Sequence, residues 1–367
     1  MQLNELGFRG WNSLTGSPHW RWLCIAQTGI KLAWANRWLR RVMLFVWMPS
    51  LALAAGFFAY EQGVQNEEVL KGLVLASGMT SLEPGLAEGV LESPEDARRD
   101  VWAYLLLTFF RRPQGLALVL VVGFIAPRLI AQDVQSRAFL LYFSRPITPW
   151  QYIAGKAAIL WTYLALITTL PALILYLLGI LMSPTLTVIT DTWDLPFRIL
   201  AASVVMMAPT TLLALAFSSL TIESRFAGFA WFTVWVIGWV AYSALSGADM
   251  AAEMQRTDWS QVNEIEARPW EQPGGFQGGG GRRGGNLRWQ NRLQRQQVRD
   301  RVTQSLLGEN RWACLSLYHS VGEVQAWIFG LKSEMTRTVK ICLGVLIGVT
   351  LLSLRILIKR VTKPLKA

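Results

Sequence analysis

Six long, nearly charge-free apolar runs dominate the sequence and leave the chain few ways to fold. They lie at about 42–60, 114–132, 157–181, 198–219, 227–246 and 338–358. A helix needs about 20 apolar residues to cross a hydrocarbon core about 30 Å thick, because in lipid each backbone polar group must be satisfied internally. The runs are apolar on every face, whereas barrel strands alternate apolar and polar over about ten residues. The expected fold class is therefore all-α, a polytopic membrane protein with six transmembrane helices. Composition agrees: 52% of the 367 residues are hydrophobic and 16% are charged, against roughly 25% charged in an average soluble domain.

Basic residues in the short flanks set the orientation. Arg9, Arg21, Lys31, Arg37, Arg40 and Arg41 precede the first run against the single acid Glu5, and Lys359, Arg360, Lys363 and Lys366 follow the last. Both termini are expected in the cytoplasm, which an even number of spans allows. Residues 61–100 carry nine acids and three bases, as an outer loop should. About forty residues precede the first run, too many for an ordinary signal-peptide n-region, so it reads as a retained span.

Four regions follow from this layout. Residues 1–41 form a cytoplasmic N-terminus whose Trp- and Arg-rich part, WRWLCIAQTGIKLAWANRWLRR at 20–41, reads as an interfacial helix, a tilted extension of the first span being the alternative. Residues 42–246 hold spans one to five, with a cytoplasmic segment at 132–156. Residues 247–337 form a large extracytoplasmic loop with a Gly/Arg/Gln-rich insertion at 273–301, and residues 338–367 hold the last span and a basic tail. The stretch VWAYLLLTFFRR at 101–112 is too short to span. A mid-membrane arginine pair is costly, so Arg111 and Arg112 are expected at the outer boundary and the stretch as an outer interfacial or re-entrant helix.

The segment between the second and third spans, PRLIAQDVQSRAFLLYFSRPITPWQYIAGK at 127–156, is unlike a minimal turn. Asp133 and Arg137 stand four apart, the spacing at which opposite charges meet on a helix. An apolar patch, Ala138 to Phe143, follows on the cytoplasmic side and calls for a partner. Pro146 disfavours helix at Arg145, while Thr148 as N-cap and Pro149 at the first helical position start a new helix. Trp150 and Tyr152 are expected at headgroup level and Gly155-Lys156 at the cytoplasmic edge. A short helix, a rigid bend and a second helix could pass a push from the cytoplasm into the third span.

Asp133, Arg137 and SRPITPWQYIAGK at 144–156 resemble the ABC-2 type permeases, membrane subunits of one class of ATP-binding-cassette transporters. The layout around them, with an N-terminal interfacial helix, six spans and SLYHSVGEVQAWIFG at 316–330 before the last span, is similar more loosely. The acidic loop after the first span and the insertion before the last depart from the pattern. The resemblance implies a permease subunit of an ATP-driven exporter, paired with a second permease copy or a related chain and with a separate ABC ATPase subunit. It implies that Asp133, Arg137, Arg145, Pro146, Trp150, Tyr152, Gly155 and Lys156 form or brace the element that couples to that ATPase. Glu223 and Arg225, in the Ser218–Phe226 link between spans four and five, would make a second contact. Basic residues such as Arg145 and Lys156 also serve as plain membrane-edge anchors.

Several chemistries are disfavoured. No G-x-x-x-x-G-K-[ST] occurs, so ATP is expected on a partner and no enzyme activity or cofactor on this chain. Cys24, Cys314, Cys342, His19 and His319 show no metal or redox spacing, so no metal is expected. Acids fall almost wholly in loops, which argues against a proton- or sodium-coupled carrier. An intramembrane enzyme finds no nucleophile pattern. The remaining alternative is a membrane anchor or assembly factor that recruits an extracytoplasmic partner through 273–301 without transport. No nucleic-acid partner is expected; the cell inner membrane and its lipid are.

Overall fold

The computed structural model describes residues 21–65, 68, 72, 90, 93–136, 147–183, 187–256, 310–332 and 334–362, and all regular structure among them is helical. In chain order come α1 (Arg21–Trp34), α2 (Arg37–Gln65), α3 (Arg98–Phe109), a π-helical turn (Phe110–Gln114), α4 (Gly115–Gln135), α5 (Pro149–Ile167) and α6 (Thr169–Met182). Then follow the short α7 (Thr187–Asp191), α8 (Leu195–Leu220), α9 (Ser224–Arg256), a 3-10 turn (Arg311–Leu315), α10 (Leu317–Ile328) and α11 (Arg337–Thr362).

Six helical runs are long and apolar enough to cross a membrane: Arg37–Val64, Arg98–Gln135, Pro149–Met182, Leu195–Leu220, Ser224–Ala252 and Arg337–Thr362. Each contains one of the six apolar runs of the sequence. The centre of the bundle is α8, which packs against α4, α5, α6, α9, α10 and α11. Apolar helices gain little by leaving lipid for one another, so close fit has to hold them together, and small residues at crossings allow it. Gly179 shows how. A Cβ there would stand 2.7 Å from Trp102 and 3.1 Å from Phe57. Its absence lets the buried Trp102 ring sit edge-on to Phe57 and Tyr176, at 5.3 and 5.9 Å between centroids. One aromatic cluster thereby joins α2, α3 and α6.

Prolines punctuate the spans. Pro171 has no N–H to give the carbonyl of Ile167, and the third span breaks there, at the buried Thr168 between α5 and α6. The fourth span runs on through Pro209, where the hydroxyl of Thr210 donates to the Met206 carbonyl at 2.6 Å.

Two stretches are built into the bundle more fully than the sequence suggests. Residues 101–112 are continuous with the second span: α3 runs through the π turn into α4 as one helical run, and Val101 to Leu107 are buried by neighbouring helices. The arginine pair lies in the π turn, and Arg111 reaches across Gly322 of α10, where a Cβ would meet its Nε at 2.6 Å. The arginine penalty applies to lipid contact, and a folded-in helix removes that contact for Arg111. The second stretch belongs to the expected outer loop. The fifth-span helix runs to Arg256, ten residues past the expected 246, and the stretch Arg311–Ile328 packs against α8, α9 and α11 as part of the bundle. Asp249 takes bonds from Arg311 and Trp312, which ties the helix extension to that stretch. The Gly/Arg/Gln-rich insertion lies outside the described residues.

Candidate coupling site

The site is built where α4 ends and α5 begins. α4 stops at Gln135, with Ser136 donating to the Gln132 carbonyl from both N–H and Oγ. α5 starts on the cap that the sequence indicates. Thr148 is extended, Pro149 occupies the first helical position, and Gln151 completes a reciprocal capping box: its N–H donates to Thr148 Oγ1 and its Oε1 accepts from the Thr148 N–H. Removing such a cap costs typically about 1 kcal/mol.

From these ends three sequence-predicted residues converge. Asp133 Oδ2 accepts from the Tyr152 hydroxyl at 2.7 Å and pairs with Lys156 Nζ at 2.7 Å. Lys156 Nζ also lies 5.6 Å from the Tyr152 ring centroid. The side chains of Lys156 and Asp133 are 9% and 14% exposed, and Tyr152 is fully buried. Such charge-assisted bonds are about twice as strong as neutral ones. A buried ion pair earns little net stability over an apolar pair, but losing one partner leaves the other charge uncompensated. The cluster therefore fixes the relative position of two helices.

Tyr152 and Lys156 are turned into the fold, and Trp150 is exposed. Gly155 serves a different purpose. Its missing side chain admits α1: a Cβ would lie 2.9 Å from Ile25 and 3.0 Å from the Trp22 carbonyl. Gly29 repeats the device from the other side, where a Cβ would overlap Ile159 at 2.1 Å. Further along, the Tyr163 hydroxyl donates to the Ile30 carbonyl at 2.7 Å, and its ring stacks on Trp34 at 6.3 Å. Contacts Ile25–Gly155, Gly29–Ile159 and Ile30–Tyr163 rise together along both helices, so α1 runs beside α5 in the same sense.

The second predicted contact lies at the same end. Ser218 on α8 donates to the Pro127 carbonyl at 3.0 Å and accepts from the N–H groups of Ile130 and Ala131 at 3.1 Å each. It locks the end of α8 to the end of α4. Glu223 and Arg225, just beyond, are exposed and paired with each other rather than with the Asp133 cluster. Arg137, Arg145 and Pro146 lie outside the described residues.

Sequence reasoning placed Ser218 in the second contact without a role of its own, and missed Gly29 and Tyr163. Gly29 and Tyr163 carry no local signal, because their partners are 130 and 133 residues distant.

Polar groups are also concentrated at the opposite end. Asp194 holds Arg99 and Arg198 at 2.8 and 2.6 Å; burial pushes its carboxyl up, but bonds from the two guanidinium groups outweigh this and hold it below the usual range. Glu323 is similarly raised by burial and lowered further by Lys332, Asn310 and the nearby Arg111. His319 stacks on Tyr242 at 3.4 Å between centroids, and burial, with Arg111 beside it, pushes its imidazole down to about 4. Among the described residues no group of three or more His, Cys, Asp or Glu could hold a metal ion.

No curated protein and no solved structure matches the chain. A family model described as ABC-2 family transporter protein matches residues 38–290, which takes in the first five spans and the whole of the segment between α4 and α5. With six helices among the described residues long and apolar enough to cross a membrane, and that match over more than half of its length, the chain belongs to the ABC-2 transporter family.

Proposed function

We propose that this protein is the permease subunit of an ATP-driven ABC exporter in the cell inner membrane. A separate ATPase subunit hydrolyses ATP, and two permease halves, identical or related, form the path. The supporting observation is the buried Asp133–Tyr152–Lys156 cluster. It joins the two helices that flank residues 137–146, and α1 is clamped to one of them. A displacement applied to that segment then enters two spans and α1 as one body, the kind of rigid-body motion on which alternating transitions depend. Arg145 and Pro146 would meet the ATPase directly, with Trp150 beside them. Glu223 and Arg225 would form the second contact, at the end of α8 that Ser218 ties to α4. The export direction rests on the family resemblance.

The test is reconstitution with the ATPase in vesicles. Arg145→Glu or Pro146→Ala should leave ATP hydrolysis in place and abolish its coupling to transport, with the spans still folded. Full transport by both variants would remove the coupling assignment.

A further inference from the structure

A cavity of about 1190 Å³ lies between α1, the first turns of α2, the last turns of α4 and the start of α5. Small-molecule pockets run to roughly 300–1,000 Å³, so it suits a larger occupant. Its lining is divided. Leu32, Trp38 and Phe124 are exposed apolar side chains along it. At the other end Lys156 and Asp133 neutralise each other, and Arg128 stands beside them. Arg128 projects from α4, exposed, with no ion-pair partner among the described residues. An apolar trough open at its side and capped by the Arg128 guanidinium is complementary to an amphiphile with an anionic head and hydrocarbon tails. Basic pockets between helices on the cytoplasmic side of a membrane bind such headgroups.

We propose that this cavity seats one anionic phospholipid per chain, its phosphate against Arg128 and its acyl chains along Leu32 and Phe124. The lipid fills the space on the side of α1 that α5 does not cover and so holds α1 against the bundle. This inference needs only that the chain lies in a membrane; it does not depend on the coupling reading.

The full chain, purified in mild detergent, is titrated with phosphatidylglycerol or phosphatidylcholine, and retained lipid is counted by native mass spectrometry. One phosphatidylglycerol per chain is expected, in preference to phosphatidylcholine. Arg128→Gln should weaken its retention roughly fivefold, the value of one basic residue near an anionic headgroup. Thr28→Trp, which fills the cavity without altering charge, should abolish retention. Arg355→Gln, on α11 and away from the cavity, should retain lipid as the parent does. Equal retention of both lipids, or unchanged retention in Arg128→Gln and Thr28→Trp, overturns the proposal. Displacement of the lipid by millimolar inorganic phosphate would reveal a simple anion site and overturn it also.

Discussion

Replacing Lys156 by Met removes the cation from a buried pair and leaves its partner in place. Among the described residues Asp133, with a side chain 14% exposed, then keeps only the Tyr152 hydroxyl on Oδ2. Breaking a buried pair in this way costs about 3–5 kcal/mol, because the remaining charge is neither solvated nor balanced. Asp133→Asn is expected to cost about as much, since it strands the ammonium of Lys156, which is 9% exposed. The double variant removes both charges. The amide oxygen can still accept from Tyr152, and the Met chain follows the course of the Lys stem, so the pair together should cost about 1–2 kcal/mol. The three losses, measured by equilibrium unfolding of the full chain in mixed micelles, then give a coupling energy of several kcal/mol. If the two single losses add up to that of the double within about 0.5 kcal/mol, the sites are independent, and the cluster does not join α4 to α5 as argued.

Other outcomes follow from the same packing. Gly155→Val should force α1 away from α5 and destabilise the chain by about 1–3 kcal/mol, visible as faster protease cleavage near residue 35 with α2 to α11 intact. Ser218→Ala takes away the hydroxyl shared by Pro127, Ile130 and Ala131, with an expected loss of about 1 kcal/mol in the same micelle assay. His319 gives a pH dependence. Its folded value of about 4 lies below the ordinary 6.5, so the native state binds fewer protons than the unfolded one. Its share of stability is full above pH 6.5 and is lost as the pH falls from 6.5 through 4. Melting profiles from pH 7.5 to 4 should show that slope in the parent and a shallower one in His319→Gln.

The spans were legible because lipid removes ambiguity: an apolar run of about 20 residues has no other stable use. The Thr148–Pro149 helix start was legible for a local reason, since a cap is made by neighbours in sequence. The partners of Asp133 were not. The nearest cation by spacing was Arg137, whereas the described contact is with Lys156, 23 residues on and across a helix pair. Periodicity reports which face of one helix is apolar and says nothing of which helix meets it. For the same reason Gly155 read as part of a charged motif, although its role in the fold is to admit Ile25. At Arg111 and Arg112 the local sequence marks a boundary, and only the tertiary placement of Gly322 shows how the helix continues through them.

The central claim is that the chain works with a separate ATPase through the element between α4 and α5. Purifying the tagged protein from its native membrane in mild detergent, and identifying its companions by mass spectrometry, tests this most directly. A P-loop ATPase in stoichiometric amount is the predicted result. The contradicting result is no ATPase, with an extracytoplasmic protein held instead through residues 273–301 and released when they are deleted.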